Sequence, residues 1–234
     1  MRTLYILFLL SISLVANEIY IASGAGYKQP IMELSQVFSS QTNIKINPMF
    51  GNMQQIAEQA KNSDKIAVFF GDEKFIKKLN IKFNHSVELG KGSLVLVYSN
   101  NTKLKSIDDL KSPQIKKIGL PDTTKAIYGV AAKEFLDNTH LTEELQDKLN
   151  VFQTVPQVSS YLVSGDIDAG FINKTDYWSI SQKVANVIEI DESLYSPIKI
   201  IGVVLSGKEN QNIDKLFDFL KSPLAQEILR KHGL

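Results

Sequence analysis

Residues 19–38 read IYIASGAGYKQPIMELSQVF, and the fold follows from how this stretch changes character along its length. Ile19, Tyr20 and Ile21 form a short apolar, β-prone run, and Ala22-Ser23-Gly24-Ala25-Gly26 carries no bulky side chain. Pro30, Ile31, Leu34, Val37 and Phe38 then recur at helical spacing. This predicts a strand, a tight turn and a helix. The first amides of a helix have no partner within it, so such a corner can hold an anion without a charged side chain. Small residues also serve simply to let a chain turn closely against a neighbour. Repetition of the corner separates the two roles.

The corner does recur. A strand at Ile44–Ile46 runs through Gly51 and Asn52 into a helix with Met53, Ile56, Ala57 and Ala60 on its inner face. Ile66–Phe70 is a continuous apolar run, the pattern of a strand covered on both sides, and Asp72-Glu73 opens the helix after it. Later, Ile118-Gly119 exits through Asp122-Thr123-Thr124 into a helix from Ile127, and Thr154 caps a helix with Pro156 in its first turn. Asp168–Ile172 leads into Asn173-Lys174-Thr175. Four corners therefore carry the candidate ligand chemistry: 23–26, 51–54, 122–125 and 173–175. Successive strand–helix units predict an α/β protein with open, mainly parallel sheets flanked by helices.

The segment 17–90 alone is marginal for an independent core. The β-branched run Ile198–Leu205 and the two amphipathic helices after it complete that core when they return to it. The expected organisation is discontinuous: 17–90 with 196–234 as one lobe, 91–195 as the other, and a ligand cleft between them at the carboxyl ends of the strands.

Met1-Arg2, the apolar Leu4–Leu10 and the small residues up to Ala16 predict a cleaved signal peptide over 1–16 and a periplasmic mature chain. The sequence holds 26 Lys+Arg and 25 Asp+Glu, and loss of Arg2 with the signal leaves 25 against 25. That balance argues against a nucleic-acid partner, which needs a concentrated basic face. With no cysteine there is no disulfide scaffold, thiol chemistry or lipid attachment. His85, His140 and His232 stand far apart, without metal-ligand spacing. No cofactor, metal or catalytic set is expected.

Several stretches carry a family resemblance. They are Ile118–Asp122 followed by Ala132-Lys133-Glu134, Thr154-Val155-Pro156 through Gly165–Ile172 with Thr175-Asp176, and Phe219–Pro223 through Lys231–Leu234. In this order and spacing they resemble the molybdate-binding proteins of ABC importers, within the type II periplasmic binding proteins. The resemblance covers the mature chain. It implies a two-lobed solute-binding protein, monomeric, that captures molybdate, tungstate or another small anion and delivers it to a membrane ABC permease.

In that family the oxyanion site takes serine or threonine hydroxyls from the first two corners, amides from the third corner and the Val155 helix, and a tyrosine from the fourth. Here Gly26 stands at the first serine position with Ser23 nearby, Asn52 or Met53 at the second, and Asn173 at the tyrosine position. Tyr128 takes the place of a small residue in the third corner. The implied ligand-binding set is Ser23, Ala25, Gly26, Asn52, Met53, Tyr128, Val155 and Asn173, with Asp122 the nearest acceptor for a ligand that keeps a proton. Asn52, Asn173 and Tyr128 also suit a small organic anion such as a carboxylate. A hydrolase using Ser23 or Ser159, or a structural surface protein, is the alternative outside transport.

Overall fold

The computed structural model describes residues 17–102 and 106–234. The expected signal peptide, 1–16, lies outside the described residues. The chain begins with β1 (Glu18–Gly24), a 3-10 turn at Ala25–Tyr27, α1 (Lys28–Thr42), β2 (Lys45–Gly51), α2 (Met53–Lys61), β3 (Ile66–Asp72), α3 (Glu73–Lys78) and β4 (Phe83–Gly92). It continues with β5 (Leu94–Ser99), β6 (Ile118–Pro121), α4 (Ile127–Asn138), α5 (Thr142–Leu145), β7 (Leu149–Phe152), α6 (Val155–Ser164), β8 (Ala169–Asn173), α7 (Lys174–Ile180) and β9 (Val184–Glu189). Last come β10 (Ile198–Leu205), α8 (Gln211–Leu220) and α9 (Pro223–Lys231).

The strands form two five-stranded sheets, ordered β2-β1-β3-β10-β4 and β7-β6-β8-β5-β9. Each is mixed and not mainly parallel. In the first sheet β1 runs parallel to β2 and β3, whereas β10 is antiparallel to β3 and β4. In the second, β6 runs parallel to β7 and β8, whereas β5 is antiparallel to β8 and β9. The parallel pairs are joined through helices, as parallel pairing requires. Strands β5 and β10 arrive directly from the other sheet, and a continuous apolar run says nothing about its direction.

Burial follows position in the sheet. All seven residues of the central β3 are buried, as expected for a strand covered on both faces. β2 is an edge strand and admits Pro48 in its middle. The opposite lobe's edge strand, β7, is a short, half-exposed LNVF that the sequence pattern does not announce.

Two crossings join the lobes, one between β4 and β5 and one between β9 and β10. They are tied together where the Leu94 N–H donates to the Tyr195 hydroxyl at 3.1 Å. The C-terminal helices pack back on α1, with the Phe38 and Phe219 rings 5.6 Å apart. Glu33 on α1 there receives Lys231 Nζ at 2.8 Å and lies 2.7 Å from His232 Nε2.

Candidate functional site

The first and second corners and the starts of α4 and α6 meet at one pocket between the lobes, whereas the third corner, 122–125, stops short of it. The pocket is lined by Gly24–Tyr27, Gly51–Met53, Ala126–Tyr128, Thr154 and Val155. The 3-10 turn leading into α1 and the N-termini of α2, α4 and α6 therefore point into a shared space. Each such terminus presents unpaired N–H groups and the positive end of a helix dipole. None of the described lining residues is charged. The cavity is about 20 Å³, where a single water needs roughly 10–15 Å³. A compact ion matches that space better than an extended molecule. Larger hollows of about 380 Å³ beside Lys61, Lys82 and Lys208 and about 360 Å³ beside Glu88 and Tyr195 have no α-helix N-terminus among their described lining residues.

Local bonding determines which groups face the pocket. Asn52 caps α2, its Oδ1 accepting the Gln55 N–H at 2.9 Å, so its carbonyl end is held by its own helix. Met53, the first residue of α2, lines the pocket and is buried. At α6, Gln157 Oε1 accepts the N–H groups of Gln153 at 2.9 Å and Thr154 at 3.2 Å. Pro156 has no N–H, so Val155 carries the amide of that first turn which lines the pocket.

The structure brings together Ala25, Gly26, Asn52, Met53, Tyr128 and Val155, but Ser23 and Asn173 do not line the pocket. Ser23 is fully buried, and its hydroxyl turns back to donate to Gly24 O at 3.3 Å. Asn173 is also fully buried, at the end of β8. Its Nδ2 donates to Gly26 O at 2.9 Å, and its Oδ1 has no hydrogen-bond partner among the described residues. A Cβ added at Gly26 would sit 3.0 Å from that Oδ1, so glycine there lets the first corner close onto the amide. The side chain expected at the ligand instead supports the loop that faces it.

Asp122 also lies away from the pocket. Its Oδ1 accepts from Thr124 N, Thr124 Oγ1 and Lys125 N at 2.9, 2.8 and 2.9 Å. Burial pushes its carboxyl up, but these bonds outweigh it and hold the group below the usual carboxylate range. It is committed to its own loop and is not poised to take a ligand's proton.

Tyr27 is the residue at the site that sequence reasoning missed. It follows the small-residue turn directly, and its hydroxyl lies 2.7 Å from that of Tyr128 across the lobes. Tyr128 thus fills the back of the site and reduces the room for an organic ligand. Burial pushes both phenols well above their ordinary pKa, so both keep their protons at physiological pH. A pairing between residues 101 positions apart leaves no local signal in the sequence.

Ser159 is buried and donates to Asp176 Oδ2. Burial pushes that carboxyl up to about 6, against the opposing pull of the Ser159 bond. The pair holds α6 and α7 together beside the pocket. Neither Ser159 nor the buried Ser23 is presented as a nucleophile.

Comparison with known proteins agrees with this geometry. Residues 19–234 match the family model described as bacterial extracellular solute-binding protein. A putative binding protein of Haemophilus influenzae is 26% identical over 97% of this chain and 94% of its own length. The molybdate-binding protein ModA of Rhodobacter capsulatus is 25% identical over 96% of this chain and 90% of its own. Among solved structures, the periplasmic molybdate-binding protein of Azotobacter vinelandii superposes with a TM-score of 0.83 at 22% identity, covering 92% of this chain and 97% of that one. The chain belongs to the family of bacterial extracellular solute-binding proteins, non-catalytic binders of two-lobed type II fold.

Proposed function

We propose that this protein is the periplasmic receptor of an ABC importer for a small, fully ionised tetrahedral oxyanion of the molybdate and tungstate kind. In this reading 17–90 and 196–234 form one lobe, 91–195 forms the other, and the protein acts as a monomer that hands its ligand to a membrane permease. The carrying observation is the convergence of four helix starts from both lobes on a small pocket with no charged lining residue. The ligand's charge is met by N–H dipoles, as at other helix-terminus anion sites. The molybdate-binding relatives, from Rhodobacter capsulatus and in the Azotobacter vinelandii structure, support the same ligand class.

Selectivity follows from matching donors to acceptors. A dianion without protons accepts at every oxygen, which suits a pocket of amide donors. Hydrogen phosphate carries a proton that wants a strong acceptor, and no carboxylate lines the pocket. An unmet polar group of this kind costs about 1–3 kcal/mol, or about five- to 150-fold in affinity. Titration calorimetry at neutral pH with molybdate, tungstate, sulfate and phosphate tests the assignment. Molybdate and tungstate are expected to bind alike and phosphate at least about fivefold more weakly. Absence of heat with all four, or tighter binding of a small carboxylate, would overturn the oxyanion assignment.

A further inference from the structure

Two buried hydrogen bonds cross between the lobes at the floor of the pocket. Tyr27 meets Tyr128 hydroxyl to hydroxyl at 2.7 Å, with ring centroids 6.1 Å apart. Asn173 Nδ2 donates to Gly26 O at 2.9 Å. Tyr27 and Gly26 belong to the turn after β1 in the first lobe, while Tyr128 opens α4 and Asn173 ends β8 in the second. The chain is shaped to admit these contacts. A Cβ at Gly92, on the first crossing, would overlap the Tyr128 hydroxyl, and one at Gly26 would press on the Asn173 amide.

All four partners are protein groups, so neither bond needs a ligand to complete it. Both join the first anion-binding corner to the opposite lobe. Rotation about the crossings would draw that corner away from α4 and β8 and expose the four groups to water. We propose that Tyr27–Tyr128 and Asn173–Gly26 form a lobe-to-lobe clasp that favours closure independently of the ligand, with Tyr128 the positioning residue that fixes the first corner for the anion. Two positions where the resemblance places ligand hydroxyls, Gly26 and Asn173, serve here to bind lobe to lobe. Affinity is thereby raised by pre-closure without a new ligand contact, because a receptor binds more weakly by the fraction of time it is not competent.

The inference rests on the anion site described above, and its test separates the two ideas. Tyr128→Phe removes one hydroxyl and keeps the ring, and Tyr27→Phe removes the other partner as a second, independent variant. Solution X-ray scattering of the ligand-free wild-type and variant proteins reads closure alone, whatever the ligand proves to be. Both variants are expected to be more expanded than the wild type while retaining its circular dichroism spectrum. Titration of the same proteins with molybdate should show a loss of about three- to tenfold, the scale of one net hydrogen bond. The molybdate-to-sulfate affinity ratio should stay unchanged, since a residue acting through closure weakens every ligand equally. The double variant should lose no more than Tyr128→Phe alone, because that variant already breaks the shared bond. Ligand-free scattering indistinguishable from the wild type would overturn the clasp, as would a changed selectivity ratio, which marks a direct ligand contact. Failure of every anion to bind, with expansion still seen, would sink the oxyanion reading and leave the clasp standing.

Discussion

Asp72 and Asn173 hold matching places in the two lobes. Each ends the third strand of its sheet, and each is the extended N-cap residue of the helix that follows. Their side chains differ in one atom type and do different work. Asp72 Oδ1 accepts the Phe75 N–H of its own helix at 2.9 Å, and Oδ2 takes the Lys199 N–H at 3.2 Å where β10 returns. Asn173 makes no cap bond to its helix and reaches across to Gly26. One corner seals its lobe and the other joins the lobes. An ionised carboxylate could not serve at the second place, because Gly26 offers a carbonyl and a carboxylate has no hydrogen to donate to it, whereas the Asn173 amide does.

The largest effect expected from probing this contrast lies one turn further on, at Asp176. Burial raises its pKa to about 6, with the Ser159 hydrogen bond opposing. The folded protein therefore holds this proton more tightly than the unfolded chain. The corresponding stability is fully present below the unfolded pKa of about 4 and is lost as pH rises through about 6. Asp176→Asn keeps the shape and an acceptor for Ser159 while removing the titration. Denaturant melts should show wild type losing up to about 3 kcal/mol relative to Asp176→Asn between about pH 3.5 and 7.5. A difference that does not change with pH would contradict the burial of this charge.

Next in size is Asn173→Ala. It leaves the buried Gly26 carbonyl without its donor, worth about 1–3 kcal/mol, or about five- to 150-fold in molybdate affinity. Folding stability should change less, because α7 is not capped by this side chain. Asp72→Ala should give the converse pattern. Loss of the α3 cap is expected to cost about 1–2 kcal/mol of stability, with a smaller effect on affinity than Asn173→Ala. Denaturation and calorimetry on both variants check the pair, and identical patterns would erase the distinction between the corners.

Much of the fold was legible because its signals are local. The small-residue turn at Ala22–Gly26, the Asp72 cap and Thr154 with Pro156 each mark a strand-to-helix corner within a few residues. Strand direction was less legible. Runs such as Leu94–Tyr98 and Ile198–Leu205 are apolar throughout, so nothing in them separates antiparallel from parallel pairing. The edge strand Leu149–Phe152 was missed because four half-exposed residues carry no clear alternation. At the site, the corners were visible but the fate of individual side chains was not. Ser23 turning back on Gly24, and Asn173 supporting Gly26 from behind, are set by packing across the lobes. Tyr27 belongs to the same class, since its partner lies in the other lobe.

The central claim is that an oxyanion is held by backbone amides from four helix starts, with Asn173 and the tyrosine pair supporting from behind. A crystal structure of the protein with molybdate, with anomalous scattering measured at the molybdenum edge, tests it most directly. One anomalous peak is expected in the pocket, with oxygens in contact with the N–H groups of Ala25–Gly26, Met53, Tyr128 and Val155 and none touching the side chains of Ser23 or Asn173. A peak elsewhere, or a molybdate ligated directly by the Asn173 amide or by a lysine, would contradict it.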